Sequence, residues 1–241
     1  MNINITVIGS TGKLGVKLLN FAFKNNIKIS AICCYQNTNK LNKQKKLYSI
    51  NNSFILSDER ENKKFFTYLK KKINIIYFLD FGSSSLLDLR QFIKYNSKSL
   101  IAIANKELII AGGKVMMKEI HRSNNIFIPL DSEHFSLKNT NFNKDNINKI
   151  FITASGGPFF FTKKKNFNEV KMNEVLSHPK WKMGKKISVD SATLMNKVLE
   201  VIEAVKLFSI NLDKFKIIVH PQSLVHSIIE LKNGLRMPKR L

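Results

Sequence analysis

The acidic segment Asp131-Ser132-Glu133-His134 carries side chains whose types and spacing suit metal chemistry. It follows an apolar segment, residues 126–130, that predicts a strand. Two carboxylates at i and i+2 can share one ligand where the backbone turns, and oxygen ligands favour Mg²⁺ or Mn²⁺ over Zn²⁺. The alternative interpretation is a helix cap, with Asp131 or Ser132 capping and Glu133 in the first turn. The sequence leaves both interpretations open.

A further carboxylate, Glu200, lies in a segment that predicts a helix over residues 192–205. Asn196 lies four residues before Glu200 and Lys197 three before it, so the three side chains can point into one pocket. The N-terminal N–H groups of a helix favour an anion such as phosphate, whereas a carboxylate suits a hard divalent cation. The alternative is an amphipathic helix whose polar face is solvated.

The residues around this helix predict its boundaries. Pro179 and Gly184 interrupt regular structure, which indicates a loop. Residues 186–189 predict a short strand, and Asp190 or Ser191 is the expected N-cap. Helical spacing predicts a buried stripe composed of Leu194, Val198, Val201 or Ile202, and Val205.

Composition restricts the class of protein. The 241 residues are 44% hydrophobic, which is enough for one large or two modest domains with a real core. We expect neither a membrane span, because no apolar run is long enough, nor a signal peptide, because the first residues enter a strand directly. Cys33 and Cys34 are adjacent in an apolar segment and predict reduced, buried thiols. A cytoplasmic protein is the expectation.

The formal net charge of +23 raises the question of nucleic-acid binding. Only five of the 40 basic residues are arginines, and the lysines are scattered in short clusters. Arginine is the usual residue for reading phosphates and bases. We therefore expect no specific nucleic-acid partner, and an electrostatic RNA-binding protein is a separate alternative whose affinity would fall steeply with salt.

A strand, a glycine-rich turn and a helix open the chain. Residues 3–8 predict a buried strand, and residues 9–15 follow with glycines in the pattern GxxGxxG. Such glycines let the backbone approach a pyrophosphate at the helix N-terminus, so the pattern predicts a dinucleotide site. The alternative is a tight turn without a ligand. The helix after the turn presents an apolar set: Val16, Leu19, Phe21 and Phe23.

A second strand, residues 27–34, follows at the distance expected for a βαβ unit. NAD-specific sites usually have a carboxylate at the end of this strand for the ribose hydroxyl. Here Tyr35-Gln36-Asn37 stands at that place, which favours NADP.

Strand and helix signals then alternate, which predicts an α/β fold with a doubly wound parallel sheet. Several strands end in polar residues, the place where α/β enzymes hold ligands. Asn105-Lys106-Glu107 is one such set and Ser155 begins another. The expected elements after a lysine-rich loop are a helix at 61–71, a strand at 73–79, a turn at 81–84, a helix to residue 95, and strands at 100–104, 150–154 and 217–219.

Seven sequence blocks give the chain a resemblance to a known family, the 1-deoxy-D-xylulose 5-phosphate reductoisomerases. The resemblance covers residues 1–232, and the blocks occur in the same order as in the family. The blocks are GSTGKLG, ANKE, PLDSEH, TASGGPF, HPKWKMG, KISVDSATLMNKVLE and HPQSLVHS.

The resemblance implies an enzyme of the non-mevalonate isoprenoid pathway that couples an isomerisation to a reduction. A divalent metal, Mg²⁺ or Mn²⁺, polarises the substrate oxygens while the carbon skeleton rearranges by a retro-aldol/aldol route. NADPH then reduces the resulting aldehyde to 2-C-methyl-D-erythritol 4-phosphate. The resemblance also implies a homodimer.

The same resemblance assigns roles to individual residues. The metal ligands and catalytic carboxylates are Asp131, Glu133 and Glu200, and Lys106 is a further catalytic residue. The residues expected to bind substrate are Lys106, Ser132, Ser155, His178, Trp181, Met183, Ser191, Asn196, Lys197 and Glu200. The residues expected to bind NADPH are Thr11, Gly12, Lys13, Leu14, Asn37, Asn105, Glu107 and Gly184. Trp181 and Met183 lie on the segment that resembles a flap closing over the substrate.

The chain departs from the family at several positions, among them Phe135 and Val198, and in two longer regions. The family's lysine for the cofactor 2′-phosphate is replaced by Gln36, and Lys40 and Lys43 are candidates to replace it. The resemblance fades after Glu230.

The expected organisation is a Rossmann-type NADPH-binding domain (1–130), a truncated α+β catalytic domain (131–232) and an aberrant tail (233–241), without the family's C-terminal helical domain. A second hypothesis is therefore a non-catalytic remnant that retains nucleotide binding.

Overall fold

The computed structural model describes residues 3–70, 73–80, 82–138, 143–162, 167–178 and 184–240. By its internal contacts the chain divides into two units, Met1–Leu130 and Asp131–Leu241. Each unit has its own sheet and its own buried apolar cluster.

The first unit is a six-stranded parallel sheet in the order β3-β2-β1-β4-β5-β6. This order places β1 and β4 side by side at the centre, the arrangement of doubly wound dinucleotide-binding folds. The predicted α/β class and the parallel sheet are confirmed. The strands are β1 (Ile3–Ile8), β2 (Ala31–Cys34), β3 (Asn52–Ile55), β4 (Ile73–Phe78), β5 (Leu100–Ile103) and β6 (Ile126–Pro129). The helices are α1 (Lys13–Lys24), α2 (Thr38–Leu47), α3 (Glu59–Leu69), α4 (Leu86–Tyr95) and α5 (Lys106–Arg122).

The core of this unit forms because its strands are apolar on both faces and helices cover the sheet. Val7, Ile8 and Ile32 are fully buried, as are Phe65 and Phe92 from two helices. The two predicted thiols, Cys33 and Cys34, are buried as expected.

Two parts of the first unit differ from the sequence interpretation. The lysine- and asparagine-rich segment expected as a loop contains α2 and β3. Asn37 begins α2 by accepting a hydrogen bond at its Oδ1 from the N–H of Lys40 (3.1 Å). In α1, Phe21 and Phe23 are exposed, whereas Leu19 and Ala22 are buried. The helix packs through Gly15, Leu19 and Ala22 and leaves both aromatic rings exposed.

The second unit is built on a mixed four-stranded sheet in the order β10-β9-β7-β8. β7 pairs parallel with β8 and antiparallel with β9, and β10 extends the sheet antiparallel to β9. The strands are β7 (Ile147–Ala154), β8 (Phe215–Val219), β9 (Ser227–Leu231) and β10 (Arg236–Lys239). The helices are α6 (Ser132–Lys138), α7 (Met172–Leu176), α8 (Lys185–Ala192) and α9 (Met195–Phe208).

The predictions of a strand and of an N-cap before α9 are both wrong. Residues 186–189, expected as a strand, lie inside α8. Asp190 and Ser191, expected as the N-cap, lie in the last turn of α8, and α9 begins after Leu194, whose φ is 59°. That left-handed residue separates the two helices.

The predicted buried stripe of α9 is correct in part, because Val201 is buried and Val205 packs against the apolar cluster of this unit. Leu194 and Val198 are exposed, and the buried side chains of this helix include three charged ones. The charged side chains of this face can be buried because they pair with opposite charges. The spacing of apolar residues cannot predict such a face. The buried residues of α9 are Lys197, Glu200, Val201, Glu203, Ala204 and Leu207.

Across the part of the chain that the structure describes, no helix combines the length and the apolar character needed to span a membrane.

Candidate functional site

The start of α6 positions the first two carboxylates. The backbone carbonyl of Asp131 accepts from the N–H of Phe135 (2.8 Å), and its Oδ1 accepts from the N–H of Glu133 (3.3 Å). The helix-cap interpretation is therefore satisfied by Asp131. The turn also directs Glu133 inward, where it is 9% exposed and accepts from the hydroxyl of Ser132 (2.5 Å). The cap and the acid pair are the same structure, so the two interpretations do not exclude each other.

Helix α9 brings the third carboxylate to the same place. One ligand atom from each of Asp131, Glu133 and Glu200 lies within 4.8 Å of the other two. Glu200 is 2% exposed, and Asn196 donates from its amide to Oε1 of Glu200. The convergence of these three residues, 69 positions apart at the extremes, is the arrangement expected for the metal ligands.

The ammonium group of Lys197 lies between two of these carboxylates. Its Nζ is 2.6 Å from Oε2 of Glu200 and also donates to Oε1 of Glu133. Burial by itself lowers the pKa of Lys197, but the adjacent charges of Glu200 and Glu133 outweigh burial and raise it. Lys197 is therefore a protonated cation that partly balances the acidic cluster.

His134 is a residue of this site to which the sequence analysis gave no role. It is fully buried, and its Nε2 lies 2.9 Å from the backbone carbonyl of Glu200. Its Nδ1 lies 3.3 Å from Oε2 of Glu203 and 3.7 Å from Oδ1 of Asp131. The imidazole thus connects α6 to α9 behind the carboxylates. The sequence contained one indication of this role: His134 lies three residues after Asp131, a spacing that places two side chains on the same face of a helix.

A second group of predicted residues gathers where β7 ends. The hydroxyl of Ser155 lies 3.0 Å from Nε2 of His178. Burial lowers the pKa of His178, which favours a neutral imidazole. A Cβ added to Gly157, whose φ is 71°, would lie 2.7 Å from the carbonyl oxygen of Ser191, so the turn after β7 lies directly against the end of α8. Ser155 is therefore in contact with His178, and the backbone of Ser191 lies against Gly157, two residues further along the same turn.

The glycine turn of the first unit has the close packing that its pattern predicts. Gly9 has a φ of 77°, and an added Cβ would lie 2.5 Å from the backbone nitrogen of Asp80. A Cβ on Gly15 would lie 2.4 Å from the carbonyl oxygen of Gly9. Gly12 is the N-cap of α1 and offers no side chain to cap it. The predicted residues of this turn are Thr11, Gly12, Lys13 and Leu14, and all but the half-buried Thr11 are exposed.

Beyond β5, Asn105 is 2% exposed and donates to Oδ2 of Asp80 (3.1 Å) and to the carbonyl of Gly82 (2.8 Å). Lys106 is 8% exposed at the start of α5, next to the half-buried Glu107. These residues lie in the first unit, at the carboxyl edge of its sheet.

The predicted flap residues Trp181 and Met183 lie outside the described residues. Gly184, expected to contact the cofactor, is the N-cap of α8.

Comparison with known proteins agrees with this architecture. A family model for the 1-deoxy-D-xylulose 5-phosphate reductoisomerase C-terminal domain matches residues 127–208. The enzyme of that name from Pelagibacter ubique is 39% identical to this chain, over 96% of the chain and 65% of the relative. Along nearly its whole length the chain is similar to the 1-deoxy-D-xylulose 5-phosphate reductoisomerases.

Solved structures of the family share the fold. The Zymomonas mobilis reductoisomerase in complex with NADPH has a TM-score of 0.78 and 28% identity, covering the whole of this chain and 67% of that one. A reductoisomerase in complex with NADPH, fosmidomycin and magnesium has a TM-score of 0.81. Its identity of 24%, over 99% of this chain and 66% of that one, supports the fold alone. The chain spans about 65% of the length of the curated relatives that it matches most fully.

Proposed function

We propose that this chain carries the NADPH-binding and catalytic parts of a 1-deoxy-D-xylulose 5-phosphate reductoisomerase, which forms 2-C-methyl-D-erythritol 4-phosphate. The observation that carries the proposal is the convergence of Asp131, Glu133 and Glu200. The similarity to the reductoisomerases supports the substrate and the reaction. The proposal extends to the homodimer that the resemblance implies and to a cytoplasmic location.

The acidic cluster fits a hard divalent cation. Its donors are all carboxylate oxygens, which suit Mg²⁺ or Mn²⁺. Glu133 and Glu200 already share the ammonium of Lys197, so their oxygens are oriented toward one positive charge. In this proposal Asp131, Glu133 and Glu200 hold the metal. The chemistry that a bound divalent cation supplies is polarisation of the substrate's carbonyl and hydroxyl oxygens.

His134 supports this arrangement by fixing the ligands. It contacts the backbone of Glu200 and lies near the carboxylates of Asp131 and Glu203. A buried group of this kind restricts the rotation of the carboxylates around it.

We assign the phosphate end of the substrate to the residues near the end of β7. Ser155 and His178 are hydrogen-bonded, and Ser191 lies against the same turn. Asn196 and Lys197 begin α9 and contact Glu200, so they can link the phosphate group to the metal ligands. Ser132, Lys106 and the flap residues Trp181 and Met183 belong to the same proposal as substrate contacts.

The first unit is assigned to NADPH. The glycine turn leaves a helix N-terminus without a side-chain cap, which suits the pyrophosphate. The strand end after β2 has no carboxylate, which suits NADP rather than NAD. Asn105 and Glu107 lie at the carboxyl edge of the sheet, where this fold holds its dinucleotide. The remaining expected contacts are Thr11, Gly12, Lys13, Leu14, Asn37 and Gly184.

The test is NADPH oxidation by the purified chain with 1-deoxy-D-xylulose 5-phosphate and Mn²⁺. We expect loss of NADPH absorbance that requires both the substrate and the metal. Glu200→Gln should abolish this turnover because it removes one metal carboxylate. Glu59→Gln, at an exposed pair with Lys63, is the matched control and should leave turnover unchanged.

Absence of turnover in a folded chain that still binds NADPH would contradict catalysis and favour the non-catalytic remnant. Equal turnover in Glu200→Gln and in the wild-type chain would contradict the assignment of the metal site.

A further inference from the structure

The end of β2 lies beside the glycine turn that follows β1, and no acidic side chain follows β2 there. The N–H groups of Gly9 and Ser10 both donate to the carbonyl of Cys33, at 3.0 and 3.1 Å. In folds of this type a carboxylate at this strand end binds the ribose hydroxyls of NAD, whereas a cation nearby accommodates the 2′-phosphate of NADP. Selection between the two cofactors is therefore decided by the residues next to this turn.

Two residues after β2 already have other partners. Tyr35 donates from its hydroxyl to Oδ2 of Asp88 (2.5 Å), and burial followed by the charge of Asp88 raises the pKa of the phenol. The Asn37 side chain caps α2 by accepting from the N–H of Lys40. Neither side chain is the positive charge that a 2′-phosphate requires.

The ammonium of Lys40 supplies that charge. Its Nζ donates to the carbonyl of Thr11 at 2.6 Å, which brings it from the first turn of α2 onto the glycine turn. Gln44, one turn further along α2, fixes the same contact by donating to the carbonyl of Ser10 (2.8 Å) and accepting from the Ser10 hydroxyl (3.0 Å). Lys40 is half-buried, and the hydrogen bond to Thr11 places its ammonium on the glycine turn.

We propose that Lys40 is the residue that selects NADPH over NADH, by pairing its ammonium with the 2′-phosphate of the cofactor. This inference rests on the proposed NADPH-dependent function and adds the specificity determinant to it. A phosphate beside a lysine forms a charge-assisted hydrogen bond, and NADH offers only a neutral hydroxyl at that place.

Lys43 provides a matched control. It lies three residues after Lys40 on α2, carries the same charge and is exposed. A general electrostatic attraction of the basic chain for NADPH would depend on both lysines about equally. A specific pairing depends on Lys40 alone.

The experiment measures the dissociation constants of NADPH and NADH by fluorescence titration. It uses the whole 241-residue chain as wild type, Lys40→Gln, Lys40→Arg and Lys43→Gln at one fixed ionic strength. We expect Lys40→Gln to weaken NADPH binding roughly 10- to 100-fold, the loss typical of one hydrogen bond to a charged group. Binding of NADH should not change. Lys40→Arg should retain the preference for NADPH, and Lys43→Gln should match the wild type.

Different results separate this inference from the proposed function. If Lys40→Gln binds NADPH as the wild type does, or weakens both cofactors equally, Lys40 does not select the cofactor and the inference is overturned. An equal effect of Lys43→Gln would overturn it as well. In both of these cases, binding of NADPH by the wild-type chain would still support the proposed function. A folded wild-type chain that binds neither nucleotide overturns both.

Discussion

Lys197 shows how a single residue can hold an acidic cluster together. Three carboxylates from two distant segments come within 4.8 Å of one another, and their mutual repulsion would oppose folding. The buried ammonium between Glu133 and Glu200 offsets part of that repulsion. The resemblance assigned Lys197 to the substrate phosphate, and its contacts with the carboxylates give it a structural role in addition.

The first prediction concerns this charge. We expect Lys197→Met to lower the free energy of unfolding by about 3–5 kcal/mol, because it leaves buried carboxylates without their partner. Urea denaturation without added divalent metal measures the change. Lys186→Met, at the exposed pair with Asp190, should cost less than about 1 kcal/mol. Similar losses in the two variants would contradict a special role for Lys197.

The second prediction concerns Asp80, an acid at the end of β4. Its Oδ2 accepts from Ser85 (2.5 Å) and Asn105 (3.1 Å), whereas its Oδ1 is inaccessible to solvent and has no hydrogen-bond partner among the residues that the structure describes. Burial raises the pKa of Asp80. A raised pKa in the folded state means that the stability present at low pH is lost as the pH rises through that pKa.

Asp80→Asn should therefore stabilise the fold at pH 7 by roughly 1 kcal/mol, the usual size of a single substitution effect. The amide oxygen keeps both acceptor contacts, and no charge is buried. Denaturation at pH 7 and at pH 4.5 measures the change, and the gain should shrink at the lower pH. A gain that does not depend on pH would show that the buried charge is not its cause.

At the scale of elements, the break between α8 and α9 decides where the predicted site residues lie. Leu194 adopts a left-handed conformation, so α9 starts at Met195 and directs Lys197 and Glu200 inward. Ser191 is left at the end of α8, where the glycine turn after β7 meets it. One irregular residue thus separates Glu200, which we propose as a metal ligand, from Ser191, which we propose to bind phosphate.

The third prediction tests the glycine turn after β7. Gly157→Ala places a Cβ 2.7 Å from the carbonyl of Ser191 at a φ of 71°. We expect a loss of about 1–3 kcal/mol in unfolding free energy, because an L side chain is strained there and backbone must move. In Gly184→Ala the added Cβ meets no atom of the described residues within 4 Å, and the φ of −68° suits an L residue, so its stability should be close to that of the wild type. Equal stability of both variants would contradict the close contact.

At the scale of the whole molecule, the chain consists of two units with separate sheets. The segment after Glu230, where the resemblance fades, is part of the second sheet. An Asn233-Gly234 turn reverses the chain, and β10 pairs along β9. Met237 packs against the apolar cluster of this unit. The last residues therefore contribute to the stability of the second unit.

The fourth prediction follows from that hairpin. Met237→Ala should lower the unfolding free energy of the second unit by about 1–2 kcal/mol, less than for a fully buried methionine. NADPH affinity, which is assigned to the first unit, should be unchanged. Leu235→Ala is the control because that side chain is 55% exposed. Thermal unfolding and fluorescence titration provide the two readouts, and equal losses in both variants would contradict packing by Met237.

The sequence by itself determined the features that are encoded locally. Apolar segments and glycine spacing predicted the βαβ start, the parallel sheet and the strand ends that carry polar residues. Residue types and spacing marked Asp131 with Glu133, and separately Glu200, as candidate metal ligands, and only the family resemblance joined the three into one set.

Only the tertiary structure decided which side chains meet. The buried face of α9 is charged, and a hydrophobic pattern cannot reveal it because Lys197 is buried through its pairing with Glu133, 64 residues away. The placement of Lys40 on the glycine turn likewise depends on α2, which composition alone presented as a loop. Contacts of this kind depend on how distant segments pack against each other, and the spacing of residues along the chain does not predict that packing.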